Sequence, residues 1–359
     1  MPRRTRDEAS ATRIKKTRNY RSTDAVYRKV GDFTVRIVDG HAELPAGMTS
    51  VPDEAFKGYK QKFLQGITSV TIPGSVTTIG NNAFCGCYWL KAVTIPDSVT
   101  TIGWRAFFNC TSLAAVTIPD SVTAIGAYAF CDCKRLAAVT IGNSVATIDR
   151  GAFCSCCKLA AVTIPDSVTA IGISAFHHCT SLAAVTIPDS VTTIGEHAFL
   201  GCFSLAAVTI GNSVTAIGLY TFSSCGKLAA VTIGNSVTTI GYGAFYGCKK
   251  LAAAAIPYSV TTIGDRAFGG CSSLAAVTVP STVTMHGETS FDVQYTKVVR
   301  RSKAAYRWLR LKFRVRVVGR LSLMRAASAE RLYSPGGGGA LAAQYHFNEL
   351  ADLAYGQVK

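Results

Sequence analysis

The sequence is poor in charged residues and has no long apolar run. Only 16% of its 359 residues are charged while 48% are hydrophobic, which excludes an intrinsically disordered chain. No apolar stretch approaches the ~18 residues that a membrane-spanning helix needs, so we expect no transmembrane span. The first twenty residues are basic and lack the apolar centre of a secretory signal peptide.

Sequence motifs of catalysis are also missing. There is no Walker loop, no dinucleotide-binding glycine motif at a strand–helix junction and no G-x-S-x-G motif. Acidic residues recur singly at predicted turns, as at Asp97, Asp120 and Asp166, without a paired partner. We therefore expect a protein that is not an enzyme and has no catalytic residue, cofactor or bound metal.

Positive charge is concentrated in two flanks. Residues 1–36 hold eleven Lys or Arg against four acids, and residues 297–331 hold twelve against one. Residues 37–296 hold thirteen against fourteen and are nearly neutral. Any attraction to nucleic acid, acidic polysaccharide or acidic lipid is therefore assigned to the flanks.

What the sequence does contain is a 23-residue repeat. Ile, Phe, Cys and Leu each recur at this spacing without insertion or deletion across nine units, which predicts a solenoid of stacked coils. The Phe column is Phe84, Phe107, Phe130, Phe153, Phe176, Phe199, Phe222, Phe245, Phe268 and Phe291, and the Cys column is Cys87, Cys110, Cys133, Cys156, Cys179, Cys202, Cys225, Cys248 and Cys271.

One coil, LAAVTIPDSVTAIGAYAFCDC over residues 113–133, shows the predicted local structure. The segment AVTI predicts a short strand with its β-branched residues inward, and Pro-Asp predicts a turn whose following Ser bonds the turn amides. The segment SVTAI predicts a second extended stretch. Ala129, Phe130 and Cys133 then fall on one face of a single helical turn. The predicted fold class is an α/β-type repeat solenoid.

The pattern LxxVxIPxSVxxIGxxAFxxC resembles the 23-residue leucine-rich repeat of the BspA type, over residues 72–291 and weakly upstream. This resemblance implies a right-handed leucine-rich-repeat arc of about ten coils that binds proteins or surfaces, often at cell surfaces. The function it favours is a non-enzymatic protein-interaction module. The alternative is binding of an anionic polymer or membrane surface through the basic flanks.

Composition divides the chain into five segments. The predicted segments are a basic disordered arm (1–25), an N-terminal cap with a degenerate first repeat (26–71), the leucine-rich-repeat array (72–296), a basic C-terminal cap (297–334), and a Gly-rich linker with a short helix (335–359). The cap is expected to begin with a hairpin over 26–38. At the end of the array, His286 is expected in the inward Ile position and Gln294 in the Cys position.

The basic C-terminal segment contains strict alternation of apolar and basic residues over 309–317. This alternation predicts a terminal strand with one basic face, and a helix over 304–331 is the competing interpretation. The basic face is either edge protection or an anion-binding site. Its candidate anion-binding residues are Arg310, Lys312, Arg314 and Arg316.

All thirteen cysteines lie inside the repeats, and nine form the inward column. The odd count and the small apolar neighbours favour free, buried thiols over disulfides. Together with the unreadable signal peptide, this favours an intracellular protein, cytoplasmic or nuclear, while the family resemblance leaves the cell surface open. The remaining Cys85, Cys131, Cys154 and Cys157 are expected to be the accessible thiols. A structural zinc site formed by Cys131-x-Cys133 and Cys154-x-Cys156-Cys157 of neighbouring coils is a weaker alternative.

Variation between the units is the only internal guide to a binding surface. The outward strand positions are Ala or Thr almost throughout, a face poor in the aromatic and arginine side chains that dominate interfaces. The positions that flank the Ala-Phe pair and those that follow the Cys differ from unit to unit, and several of them hold aromatic or basic residues. We predict a monomer that binds another protein through this row, unless these are merely unconstrained surface positions. The candidate partner-binding residues are Trp89, Trp104, Arg105, Phe108, Tyr128, Lys134, Arg135, His177, His178, Phe203, Tyr220, Tyr242, Tyr246, Lys249 and Lys250.

Overall fold

The computed structural model describes residues 25–57, 66–287, 289–292, 294 and 296–304. Residues 1–24 of the predicted arm (1–25), most of the basic C-terminal segment and the Gly-rich tail lie outside the described residues. The candidate anion-binding residues Arg310, Lys312, Arg314 and Arg316 lie outside them as well. Nothing in the structure tests the predicted domain boundaries, which stay predictions.

The chain begins with an antiparallel meander. Strand β1 (Val26–Val30) pairs with β2 (Phe33–Val38) around the turn at Gly31-Asp32, and β2 pairs with β3 (His41–Glu43). Strand β3 then pairs in parallel with the first coil. The meander therefore covers the open edge of the coil stack with a twisted hairpin, as edge protection requires.

Most coils contribute two short parallel strands, in which Val and Ile side chains point into the core. One coil forms only an isolated bridge on the first face, between Ala138 and Ala161. The first-face strands are β5 (Ser69–Thr71), β7 (Ala92–Thr94), β9 (Ala115–Thr117), β11 (Ala138–Thr140), β14 (Ala184–Ile187), β16 (Ala207–Ile210), β18 (Ala230–Thr232), β20 (Ala253–Ala255), β22 (Ala276–Pro280) and β24 (Lys297–Arg301). The second-face strands are β4 (Ser50–Val51), β6 (Thr78–Ile79), β8 (Thr101–Ile102), β10 (Ala124–Ile125), β12 (Thr147–Ile148), β13 (Ala170–Ile171), β15 (Thr193–Ile194), β17 (Ala216–Ile217), β19 (Thr239–Ile240), β21 (Thr262–Ile263) and β23 (Thr284–Met285).

The register between coils is fixed at 23 residues through most of the array. Ala184 pairs with Ala207 and Ile125 with Ile148, for example. The protein is thus a β-solenoid of about ten turns, and the predicted solenoid with its inward columns is confirmed.

The interior is a set of continuous columns, of which the phenylalanines form the longest. Eleven rings from Phe56 to Phe291 stack with centroid separations of 4.9–5.5 Å and interplanar angles of 4–14°. The guanidinium of Arg28 lies 5.4 Å from the Phe56 centroid and covers the first ring of the stack.

The predicted helical turn is wrong, and with it the α/β class. In each coil the segment around the Phe holds two residues in the left-handed region, as at Asn82 (φ 53°) and Gly86 (φ 73°). A left-handed residue every fourth position interrupts right-handed helix. Successive amides instead alternate between bonds to the next coil and bonds within their own turn. Phe84 N–H donates to the Ala106 carbonyl of the next coil (2.7 Å), and Cys85 N–H donates to the Asn82 carbonyl of its own turn (3.0 Å). This third side is therefore a ladder of turns.

The serines of several turns also differ from expectation. Ser121 Oγ donates to the Val99 carbonyl oxygen of the preceding coil at 2.6 Å, and Ser167 Oγ does the same to the Val145 carbonyl at 2.8 Å. These hydroxyls connect coils and do not bond the amides of their own turn.

The second face is interrupted once within the described array, between β15 and β17. In the adjoining coil, Thr221 occupies the column that holds Ala in the coils on either side, and it is fully buried. Its Oγ1 donates to the Gly218 carbonyl at 3.0 Å. The larger side chain, with its hydroxyl held locally, explains the separation, since overpacking a filled column forces the backbone apart.

The C-terminal end departs from the 23-residue register. Ile263 pairs with Met285, 22 residues later, so Met285 takes the inward position and packs against the core. The expected inward His286 is exposed, because the chain is one residue short at this point. Gln294 is exposed as well. Strand β24 then extends the first face, and Arg300 Nη1 donates to the Val283 carbonyl at 2.9 Å.

Candidate functional site

The row of variable residues lies on the turn side, where positions 23 residues apart become neighbours. Several candidates occupy the left-handed positions, including Arg105, Tyr128, His178 and Tyr220. Bulky side chains cost about 1–2 kcal/mol there relative to right-handed backbone. Glycine fills the same column at Gly151 and at other coils, so the fold itself does not require these side chains.

Arg105 and three aromatic residues form one compact cluster, here called the Arg105 cluster. The guanidinium carbon lies 4.4 Å from the Trp104 ring centroid, 4.9 Å from that of Phe108 and 5.7 Å from that of Tyr128. Trp104 is 42% exposed. The Nε of Arg105 is buried and has no hydrogen-bond partner among the described residues. The positive charge of Arg105 is thus held against three aromatic rings.

Glycines in the next coil let these aromatic rings lie flat along the array. A Cβ on Gly151 would meet the Tyr128 ring at 2.5 Å, and a Cβ on Gly243 would meet the Tyr220 ring at 2.4 Å. A ring at a left-handed position therefore packs over the glycine one coil later. This pairing fixes the ring orientation at an exposed edge.

A second group surrounds His177. Its ring lies 4.3 Å from that of His178, which lies 5.9 Å from the exposed Phe203 ring. Desolvation lowers the pKa of His178, and the neighbouring His177 lowers it further. His177 Nδ1 is also 3.7 Å from the Cys154 Sγ, a contact that the sequence analysis missed. The shared spacing of 23 residues was the available signal.

A third group contains Tyr220, Tyr242 and His197. The Tyr220 ring lies 5.3 Å from that of Tyr242 and 5.6 Å from that of His197. A hydrogen bond with Tyr242 raises the pKa of Tyr220. Tyr246 is exposed nearby in sequence but no ring contact joins it to this group among the described residues.

The other candidate residues are dispersed. Lys134, Arg135, Lys249 and Lys250 are exposed and follow the Cys of their coils, with no ion pair among the described residues. Trp89 is 62% exposed, and its ring packs where a Cβ on Gly66 would stand. The row is thus divided into separate clusters, of which the Arg105 cluster is the most compact.

The column thiols are satisfied by backbone. Each donates to the carbonyl of the Phe one coil earlier, as Cys179 Sγ does to Phe153 O at 3.2 Å. Burial raises the pKa of Cys87 and Cys225 to about 12. The cysteines are free, as expected. Cys131 is only 5% exposed, however, so its expected accessibility is wrong.

Two further properties concern the described residues as a whole. None of their His, Cys, Asp and Glu side chains gather in a group of three or more that could hold a metal ion. No helix within them is long and apolar enough to cross a membrane.

Comparison with known proteins identifies the repeat. Residues 49–183 and 169–296 match the family described as BspA type leucine rich repeat region (6 copies). This confirms the resemblance on which the sequence interpretation depended. A comparison with curated proteins found no match.

Several solved structures are similar to the chain. A leucine rich cell surface protein from Faecalibacterium prausnitzii is 28% identical (TM-score 0.42), with 79% of this chain and 96% of that chain covered. A leucine rich repeat protein of T. pallidum is 27% identical (TM-score 0.43), with 63% and 87% covered. The pneumococcal vaccine antigen PcpA is 17% identical (TM-score 0.43), with 78% and 98% covered.

These comparisons contradict the expected intracellular location. The Faecalibacterium prausnitzii relative is described as a cell surface protein. The odd cysteine count was a weak basis for that expectation, because most of these thiols belong to the buried column. The column thiols are shielded by burial and bonded to carbonyl oxygens, as at Cys202 and Phe176 (3.2 Å).

Proposed function

The chain belongs to the BspA-type leucine-rich-repeat family, and we propose that it is a non-enzymatic protein-interaction module that binds its partner at the Arg105 cluster. The observation that carries this proposal is the arginine held over three rings at an exposed edge, with distances of 4.4, 4.9 and 5.7 Å. Arginine and tryptophan are enriched among the residues that dominate interface energetics.

The energetics of the cluster support this choice over the strand faces. The outward strand positions carry Ala and Thr, as at Ala115 and Thr117, and offer little area to bury. Trp104 presents a large ring, and the Arg105 guanidinium is already ordered by its neighbours. A preordered side chain loses less rotamer entropy on binding, so more of its contact energy appears as affinity.

Binding by matched variants of the full chain tests the proposal. The wild-type protein, Arg105→Ala and Arg150→Ala are immobilised and exposed to surface extracts, and captured proteins are identified and then titrated as purified partners. Arg150 is exposed, and Tyr128 N–H donates to its backbone carbonyl at 2.7 Å, a bond that alanine keeps, so this variant controls for loss of one positive charge beside the cluster. We expect Arg105→Ala to weaken the affinity for the partner by about 30-fold, which corresponds to a loss of ~2 kcal/mol of binding free energy. We expect Arg150→Ala to have little effect.

Salt separates the alternative function. Binding through the basic flanks should weaken steeply as salt rises, because counterions compete for the anion. Binding at the Arg105 cluster should persist from about 0.1 to about 0.5 M salt, because salt screens contacts that are buried in an interface much less than it screens exposed charges. Equal, salt-sensitive binding by all three proteins would contradict the proposal and favour an anionic ligand of the flanks.

A further inference from the structure

A second chemistry-bearing cluster lies on the turn side, away from the Arg105 cluster. Cys131, Cys154 and His177 occupy the same position in three successive coils, 23 residues apart. The backbone holds these coils side by side, since Asp132 N–H donates to the Cys154 carbonyl at 2.8 Å and Ser155 N–H donates to the His177 carbonyl at 2.7 Å. The three side chains therefore lie in one short column.

The contacts of the column give the two thiols different environments. Cys154 is partly exposed, with its Sγ 3.7 Å from His177 Nδ1 and 3.6 Å from Ser155 Oγ. Cys131 is buried, and its Sγ lies 3.8 Å from Asp132 Oδ2. A reagent in solution can thus meet Cys154 directly but is shielded from Cys131.

Electrostatics follow the same asymmetry. Hydrogen bonding from the Cys131 thiol, and then from His177 and Ser155, holds the pKa of Cys154 well below its usual range despite burial. Hydrogen bonding to Cys154, together with burial and the Asp132 charge, raises the pKa of Cys131. Thiolate is the nucleophilic form of cysteine, so the exposed member of the pair is the activated one.

We propose that Cys131 and Cys154 form a reversible disulfide between neighbouring coils, with Cys154 as the attacking sulfur and His177 as its proton acceptor. The two coils are hydrogen-bonded to each other beside this pair, and the Phe130 and Phe153 rings of the same turns lie 5.5 Å apart. A coil separation of this size falls within the 4.4–6.8 Å that the Cα atoms of a disulfide require. The oxidant is a low-molecular-weight disulfide, R–S–S–R.

The exchange balances in two steps. His177 takes the Cys154 proton, and the thiolate attacks one sulfur of R–S–S–R; the Cys154–S–S–R bond forms, and the released thiolate takes the proton from His177. Cys131 then passes its proton to the Asp132 carboxylate, whose Oδ2 lies 3.8 Å from its Sγ, and attacks the Cys154 sulfur; Asp132 gives that proton to the departing R–S⁻ group. The bond to the R–S group breaks, and that group leaves as a second R–SH. The two protein thiols lose two electrons, which reduce one R–S–S–R to two R–SH.

Oxidised glutathione and the full-length protein provide the test. Unreacted thiols are blocked at timed intervals, and the modified peptides are quantified by mass spectrometry. We expect a mixed disulfide on Cys154 to form at least about tenfold faster than one on the partly exposed Cys157, followed by the Cys131–Cys154 disulfide. The variant Cys131→Ser should stop at the mixed disulfide.

A matched pair of histidine variants tests the proton acceptor. His177→Asn should slow modification of Cys154 by about tenfold at neutral pH, whereas His178→Asn, whose ring touches His177 but is not bonded to Cys154, should not. Circular dichroism confirms that each variant is folded. Equal rates at Cys154 and Cys157, a disulfide that joins Cys154 to Cys157, or equal effects of the two histidine variants would each overturn the proposal.

Discussion

The Cys133 thiol donates a hydrogen bond to the backbone carbonyl oxygen of Phe107, one coil earlier, across 3.3 Å. The same oxygen accepts the Cys110 N–H within its own coil, at 3.2 Å. A carbonyl oxygen has two lone pairs, and both are used here. The cysteine column therefore does more than fill space, because its thiols also donate to the backbone carbonyl oxygens of the stacked phenylalanines.

Alkaline pH should unfold the array because of these thiols. Burial raises the pKa of Cys87 and Cys225 from 9.0 to about 12, so the unfolded chain releases their protons at lower pH than the folded chain. The stabilisation is fully present below pH 9 and is lost as pH rises toward 12, at about 1.4 kcal/mol per pH unit for each such thiol.

Urea unfolding between pH 8 and 11 measures this loss. A Cys225→Ala variant should be less stable at pH 8 but should show a shallower decline, since one ionising group is gone. An identical decline in the variant would contradict the assignment.

Truncating one ring of the phenylalanine stack should be costly. Phe176 is fully buried between Phe153 (5.5 Å) and Phe199 (5.2 Å). Phe176→Ala should lower the free energy of unfolding by about 3–5 kcal/mol, because the neighbouring rings cannot close the cavity. The exposed Phe203 gives a matched control, with an expected loss within about 0.5 kcal/mol. Chemical denaturation of the two variants decides between a rigid column and one that collapses around the gap.

Thiol labelling should separate the cysteines into two classes. A bulky maleimide on native protein should modify Cys85, Cys154 and Cys157, which are partly exposed. Cys131 and the nine column thiols should react only after denaturation. Rapid native labelling of Cys179, for example, would show that the column opens on the time scale of the reaction.

Thr221 should control the gap between β15 and β17. Thr221→Ala restores the side chain present elsewhere in that column and should let the Gly218 amide bond the preceding coil, so its hydrogen exchange slows. The reciprocal Ala198→Thr should open the preceding interface and speed exchange at Gly195, whose amide now bonds Ile171 O at 2.8 Å. Unchanged exchange at Gly218 would mean that the gap has another cause.

The repeat period and the inward columns were predictable because every coil repeats the same physical constraint. The helical turn was not, because spacing i, i+1 and i+4 fits both a helix and overlapping turns. The distinguishing signal lies in the neighbours: Gly86, Asn109 and Asp132 share one column, and these are the residue types that tolerate left-handed backbone. That column pointed to turns.

The candidate site was only partly predictable. Sequence variation selected Arg105 and Tyr128, yet their contact depends on the coil spacing and on the bare backbone of Gly151. Cys154 was expected as an accessible thiol and His177 as a partner-binding residue, whereas the 23-residue period places them together. The missing step was to apply the spacing of the core columns to the outer positions.

The fixed register has a consequence for how such a chain can change length. Apart from the coil that holds Thr221, the regular coils present nearly the same inward side chains in the same order, so they can stack on each other through the same contacts. Removal of 23 consecutive residues from the middle of the array, such as 138–160, would bring equivalent columns together again. Among the described residues, the meander at Val26–Glu43 and the strand at Lys297–Arg301 differ from the repeated coils. Unequal recombination within the gene can therefore lengthen or shorten the protein in whole coils while the stacking contacts at each junction stay the same.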